Sequence, residues 1–140
     1  MLIETDVIYA FVKKSDLLKK TADRLIWRIK EGELGEVAAS REVIHELYYV
    51  SMREGVSLDE YISRVAALTS IEHLTFLPTT TEVDLLALTL MRQYGLESIF
   101  DAYHAATTLN QVDDHTLIST DHVFDKVPNI KRVEPNDLID

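Results

Sequence analysis

Cysteine is absent from the 140 residues, which removes disulfides, thiolate zinc sites and cysteine nucleophiles together. Glycine is scarce, four in all, and none stands in GxxxxGK[ST] or GxGxxG order, so neither phosphate-cradling loop is available. The GxSxG pattern of a nucleophile elbow is missing as well. No apolar run approaches the roughly 20 residues of a membrane span. The opening Met1-Leu2-Ile3-Glu4-Thr5-Asp6 lacks a basic leader and turns acidic at once, unlike a secretory signal. These absences fit a cytoplasmic protein without a membrane partner, its fold starting at residue 1.

Basic residues are few. Fourteen Lys and Arg against 24 Asp and Glu leave a net charge of −10, which argues against a general nucleic-acid coating protein. The deficit is uneven: residues 1–64 hold 10 basic against 12 acidic side chains, and residues 65–140 hold 4 against 12. A polyanion is expected to approach the first half. Lys13, Lys14, Lys19 and Lys20 could guide it there, although such lysines are often only a solvated helix face. Apolar residues make up 46% of the chain, enough for a proper core at this length and too many for a disordered chain.

Periodicity predicts one α/β domain over residues 1–140. Residues 1–11 read as a strand, since Leu2, Ile3, Val7, Ile8, Tyr9 and Phe11 favour β structure. An amphipathic helix over about 15–31 follows, with Leu18, Ala22, Leu25 and Ile29 as its stripe. A short strand at 36–39 leads to Ser40, which suits the N-cap of a helix to about 54. Ser57-Leu58-Asp59-Glu60 and Thr79-Thr80-Thr81-Glu82 have the form of capping boxes, opening helices to about 68 and 94. A strand at 71–77 lies between them. Ser98 starts the last long helix, to about 112, and strands at 116–119 and 130–133 finish the chain. Strands alternating with helices predict a three-layer α/β/α fold around a parallel sheet of about four to five strands, with ligands at the carboxyl ends of the strands.

Acids stand where packing has no use for them. Glu4 and Asp6 follow the apolar Leu2-Ile3, and in an extended chain they point to one side. Glu46 shares a helix face with Val43 and Val50 unless it reaches solvent or pairs with Arg53. Asp101 begins a helix whose Ala102, Ala105 and Ala106 allow close approach to a sheet, and it is also the fourth residue of a Ser98-x-x-Asp101 capping box. Asp121 follows the strand ending at Ser119-Thr120, with Asp125 and His122 as weaker neighbours. The five histidines (45, 73, 104, 115 and 122) have no HExxH spacing and are expected on the surface or behind the acids. Gathered together, the acids cannot all stay ionised without a cation. Removing Glu46, Asp101 or Asp121 is therefore expected to stabilise the metal-free fold.

In order and spacing these segments resemble the PIN domain, and within it the VapC-type toxins of toxin–antitoxin pairs. The resemblance runs from Leu2 to about Val133. Glu4-Thr5-Asp6-Val7-Ile8 is similar to the family's first motif, usually Asp-Thr-Asn-Val-Leu. Ser40 with Glu46-Leu47 looks like its second, Asp101-Ala102-x-x-Ala105-Ala106-Thr107 its third, and Ser119-x-Asp121-x-x-Phe124 its fourth. The chain departs from the pattern at the first motif, where Glu4 replaces Asp and Asp6 replaces Asn.

The resemblance implies a ribonuclease that hydrolyses RNA with one or two Mg²⁺ or Mn²⁺ ions. Acidic oxygens suit those hard cations. Glu4, Asp6 and Asp101 would be direct ligands, Glu46 and Asp121 would hold ligands or waters, and Ser119 would orient a carboxylate. It further implies a homodimer and a small antitoxin that blocks the site. Two other readings compete. One is a PIN-like binding or dimerisation module with weakened catalysis, for which the Glu4 departure speaks. The other is phosphotransfer of the receiver or haloacid-dehalogenase type, whose DxD motif Glu4-Thr5-Asp6 breaks.

Overall fold

The computed structural model describes residues 1–140. Five parallel strands form the sheet: β1 (Leu2–Ile3), β2 (Val37–Ser40), β3 (Leu74–Leu77), β4 (Thr116–Ile118) and β5 (Lys131–Val133), in the order β3-β2-β1-β4-β5. Six α-helices connect and cover them: α1 (Thr5–Val12), α2 (Lys19–Lys30), α3 (Glu42–Arg53), α4 (Leu58–Thr69), α5 (Thr81–Tyr94) and α6 (Ile99–Gln111). Short 3-10 turns at His122–Lys126 and Pro135–Leu138 complete the chain. This is the expected parallel α/β architecture.

Side-chain alternation along the central strands builds two cores. Ile3 and Ile118 face one side, where they pack with Val7 and Ile8 of α1, Leu25 and Ile29 of α2 and Leu47 of α3. Leu2 and Leu117 face the other, with Val83 and Ala87 of α5, the alanines of α6, and Phe124. Each of these large side chains is essentially inaccessible. Burying each such side chain contributes about 1.5–3 kcal/mol, and in sum the two cores hold the helices against the sheet.

One expected element is different. Residues 1–11 are not one strand: β1 stops at Ile3 and the chain turns into α1. The β-favouring run Val7-Ile8-Tyr9 is helical because Glu4 caps the helix and because Val7, Ile8 and Ala10 bury against α2 and α3. Tertiary packing overrides local propensity here. The serine caps at Ser57 and Ser98 are as expected, whereas Thr80 and not Thr79 caps α5, and Arg41 and not Ser40 stands before α3. Ser57, Thr80 and Ser98 accept backbone N–H bonds at the starts of α4, α5 and α6. Gly95 ends α5 at φ 68°, the left-handed cap glycine favours. Ser40 lies at the end of β2, and its hydroxyl accepts the Glu42 N–H at 3.1 Å.

Candidate active site

Three chain crossings meet at the carboxyl edge of the sheet. Glu4 leaves β1 there, and its backbone N–H donates to the Ile118 carbonyl at 3.1 Å, tying it to β4. Its side chain caps α1 by accepting the Asp6 N–H, and it also accepts the Ser119 hydroxyl at 2.9 Å. Only 5% of Glu4 is exposed. Burial first, and then the negative charge and shared hydrogen bond of Asp6, push its carboxyl well above the ordinary range. Glu46 adds to this, and the Ser119 bond offsets only part of it.

Asp6 is the second residue of α1, not part of an extended strand, yet it still reaches the same neighbourhood. Its Oδ2 accepts the Thr120 N–H at 2.8 Å and the Thr120 hydroxyl at 2.6 Å, and its Oδ1 accepts the Val7 N–H at 2.7 Å. Asp6 thus clasps α1 to the loop after β4. Ser119 is fully buried and donates to Glu4 while accepting the Asp121 N–H at 2.9 Å.

Glu46 enters from the middle of α3 and meets His104 of α6. His104 Nε2 lies 2.9 Å from Glu46 Oε1 and 3.0 Å from Thr5 Oγ1. One ligand atom each from Glu4, Glu46 and His104 lies within 4.8 Å of the other two. Burial alone would push the Glu46 carboxyl up. The hydrogen bond and charge of His104, helped by Thr5, more than offset that and hold it below the usual range. The alternative pairing with Arg53 is not made.

Asp101 and Asp121 complete the acidic lining. Asp101 occupies the first turn of α6, where its N–H donates to the Ser98 hydroxyl, and Asp101 also lines the groove. Its carboxyl is raised to about 6: burial pushes it up most, His104 pulls it back, and Glu46, Asp121 and Asp6 add to the rise. Asp121 is exposed and caps the turn at His122–Lys126, accepting the Val123 N–H at 2.9 Å. All five acids line one groove of about 490 Å³. No lysine or arginine is ion-paired with any of them.

The PIN domain model matches residues 1–130. The chain belongs to the PIN domain family. Solved structures share its fold. VapC20 of Mycobacterium tuberculosis, described as a sarcin-ricin loop cleaving toxin, is 21% identical, with a TM-score of 0.70 over 89% of this chain and 92% of that one. VapBC2 of Rickettsia felis, bound to a DNA fragment from its promoter, is 16% identical, with a TM-score of 0.69 over 95% and 96%. A toxin–antitoxin complex from Klebsiella pneumoniae is 17% identical, with a TM-score of 0.61 over 96% of each chain. At these identities the likeness is one of fold. No curated protein matches the chain by sequence.

Within this PIN domain, sequence reasoning missed two polar partners. Of the two placements expected for the histidines, His104 takes the one behind the acids: it is fully buried and sits against Glu46. Thr5 and Thr120 went unnoticed because a threonine beside an acid is common in turns. The weaker candidates His122 and Asp125 pair with Arg132 and lie outside the groove lining. Lys13 and Lys19 are engaged by acidic neighbours, Lys13 by Glu54 and Asp16 and Lys19 by Asp23. No helix is long and apolar enough to cross a membrane.

Proposed function

We propose that this protein is a metal-dependent endoribonuclease acting as the toxin of a toxin–antitoxin pair. One observation carries the reading: five carboxylates from four segments line a single groove without a basic side chain to neutralise them. Buried and half-buried acids in such a set need a cation. Their donor atoms are mainly carboxylate oxygens, which fit Mg²⁺ or Mn²⁺, and the imidazole beside them is also compatible with Mn²⁺.

Glu4, Glu46 and Asp101 would hold the ion or ions, with Asp121 at the open side. The oxygens of Asp6 already accept bonds from Thr120 and Val7, so its ligand role is secondary to its clasp. A bound divalent ion supplies charge neutralisation and polarisation of a phosphodiester. The chain's own groups do the rest. Ser119 fixes the Glu4 oxygen, and the Asp6 clasp sets the loop that carries Asp121. With an ion absent, the acidic lining repels a phosphate backbone, so binding of RNA is coupled to binding of metal.

Likeness in fold to a sarcin-ricin loop cleaving toxin and to a toxin–antitoxin complex supports the RNA substrate and a small antitoxin partner, and we extend it to a homodimer in the cytoplasm. The deciding assay incubates the protein with labelled RNA and Mn²⁺ or Mg²⁺ beside Asp101→Ala. Cleavage that EDTA stops and the variant lacks is expected. Undiminished cleavage by the variant would sink the assignment. The burial of Glu4 favours a second reading, a PIN domain that binds RNA without cutting it. Metal-dependent RNA binding with no cleavage of any RNA would mark that case.

A further inference from the structure

We infer that His104 is a positioning residue that sets the orientation of the Glu46 carboxylate in the metal centre, with Thr5 as its co-anchor. The inference rests on the metal-nuclease reading above. His104 is completely buried on α6, and its ring spans from its own helix to α1 and α3. A carboxylate only accepts hydrogen bonds, so the Nε2 atom at 2.9 Å from Glu46 Oε1 carries the ring proton.

The other ring nitrogen shows what the histidine is for. Nδ1 is buried and has no hydrogen-bond partner. A leucine of similar volume at this buried position would pack without leaving a polar atom stranded. The ring is therefore a poor packing solution and a good hydrogen-bonding one, and its one bonded nitrogen faces Glu46 and Thr5. Glu46 has no lysine or arginine partner, so nothing else of comparable strength fixes it. With Oε1 held by the imidazole, rotation of the carboxylate about its stem is restricted, and Glu46 is presented to the groove that it lines. Ordering a ligand in advance removes the entropic cost of ordering it when the ion arrives. Hydrogen-bond partners of metal ligands commonly change metal affinity or activity by about 10–100-fold.

Mn²⁺ titration by calorimetry on the intact protein tests this, with RNA cleavage measured alongside. His104→Leu removes the donor and keeps the volume. It is expected to bind Mn²⁺ at least about 10-fold more weakly than wild type and to lose kcat rather than gain KM. His104→Gln places an amide N–H near the Nε2 position and should recover most of the affinity. A purely structural histidine would lower the melting temperature in EDTA and leave the affinity of the folded protein unchanged. Wild-type affinity in folded His104→Leu therefore overturns the inference. If His104→Leu does not fold, Thr5→Val and His104→Gln carry the test: Thr5→Val is expected to weaken Mn²⁺ binding severalfold and His104→Gln to stay close to wild type, whereas wild-type affinity in Thr5→Val overturns the inference. The two levels of the argument separate cleanly. Loss of binding in Asp101→Ala with normal binding in His104→Leu removes only the role of His104, whereas no Mn²⁺ binding by wild type removes the metal centre and this inference together.

Discussion

Asp101 and Glu46 are acids on neighbouring helices facing one groove, and the fold treats them in opposite ways. Burial raises the Asp101 carboxyl from its ordinary value of 3.8 to about 6. Unfolded Asp101 gives up its proton near pH 4 while the folded group keeps it until about pH 6. Its presence thus costs nothing at low pH and destabilises the metal-free protein increasingly as pH rises through that window. Asp101→Asn is expected to melt higher than wild type in EDTA at pH 7, by about 1 kcal/mol once solvent screening is allowed for, and no higher at pH 4. Glu46 has the reverse sign. Its lowered carboxyl contributes stability above the unfolded value of 4.5 that is lost as pH falls. Glu46→Gln should therefore melt lower than wild type at pH 7 in EDTA, which corrects the expectation that every acid removed from the cluster relieves repulsion. A higher melting point for Glu46→Gln would contradict the His104 bond.

Among the secondary elements, the loop after β4 depends on one side chain of α1. Asp6 accepts both the N–H and the hydroxyl of Thr120, and a hydrogen bond to a charged group contributes about 1.5–3 kcal/mol when its partner is removed. Thr120→Val removes only the hydroxyl bond and should cost about 1.5 kcal/mol in urea unfolding, with amide exchange speeding up at Val123 first. Unchanged exchange there would show that the clasp does not order the loop. This scale also shows what could be read in advance. Capping boxes and apolar stripes located α2 to α6, because serine and threonine caps act within four residues. The helix α1 was misread because its cap is a glutamate that also serves the site, and because its apolar run is buried on most sides. His104 was unreadable for a different reason: its partner Glu46 is 58 residues away, and no local pattern encodes that meeting.

For the molecule as a whole, the proposed metal site is expected to link stability to cation concentration. A ligand that binds only the folded state stabilises it by about 2.7 kcal/mol at 100 times its dissociation constant. Mn²⁺ is expected to raise the melting temperature of wild type and to leave Asp101→Ala nearly unmoved, as differential scanning calorimetry would show. An equal rise in both would place the cation elsewhere on this chain of net charge −10. The sheet order was only partly legible in the sequence. Alternating strands and helices implied parallel pairing, but that β1 is central and only two residues long follows from its partners.

That central strand also governs when the groove can exist. Leu2 pairs with Ala38 on one side and with Leu117 on the other, and Glu4 and Asp6 take their bonds from Ser119 and Thr120. In chain order Glu4 and Asp6 precede their partners Ser119 and Thr120 by 115 and 114 residues. A chain that stops before β4 holds Glu4, Asp6 and Glu46 but lacks the strand, with Ser119 and Thr120, on which the first two are held. The acidic groove therefore exists only once β4 has paired with β1.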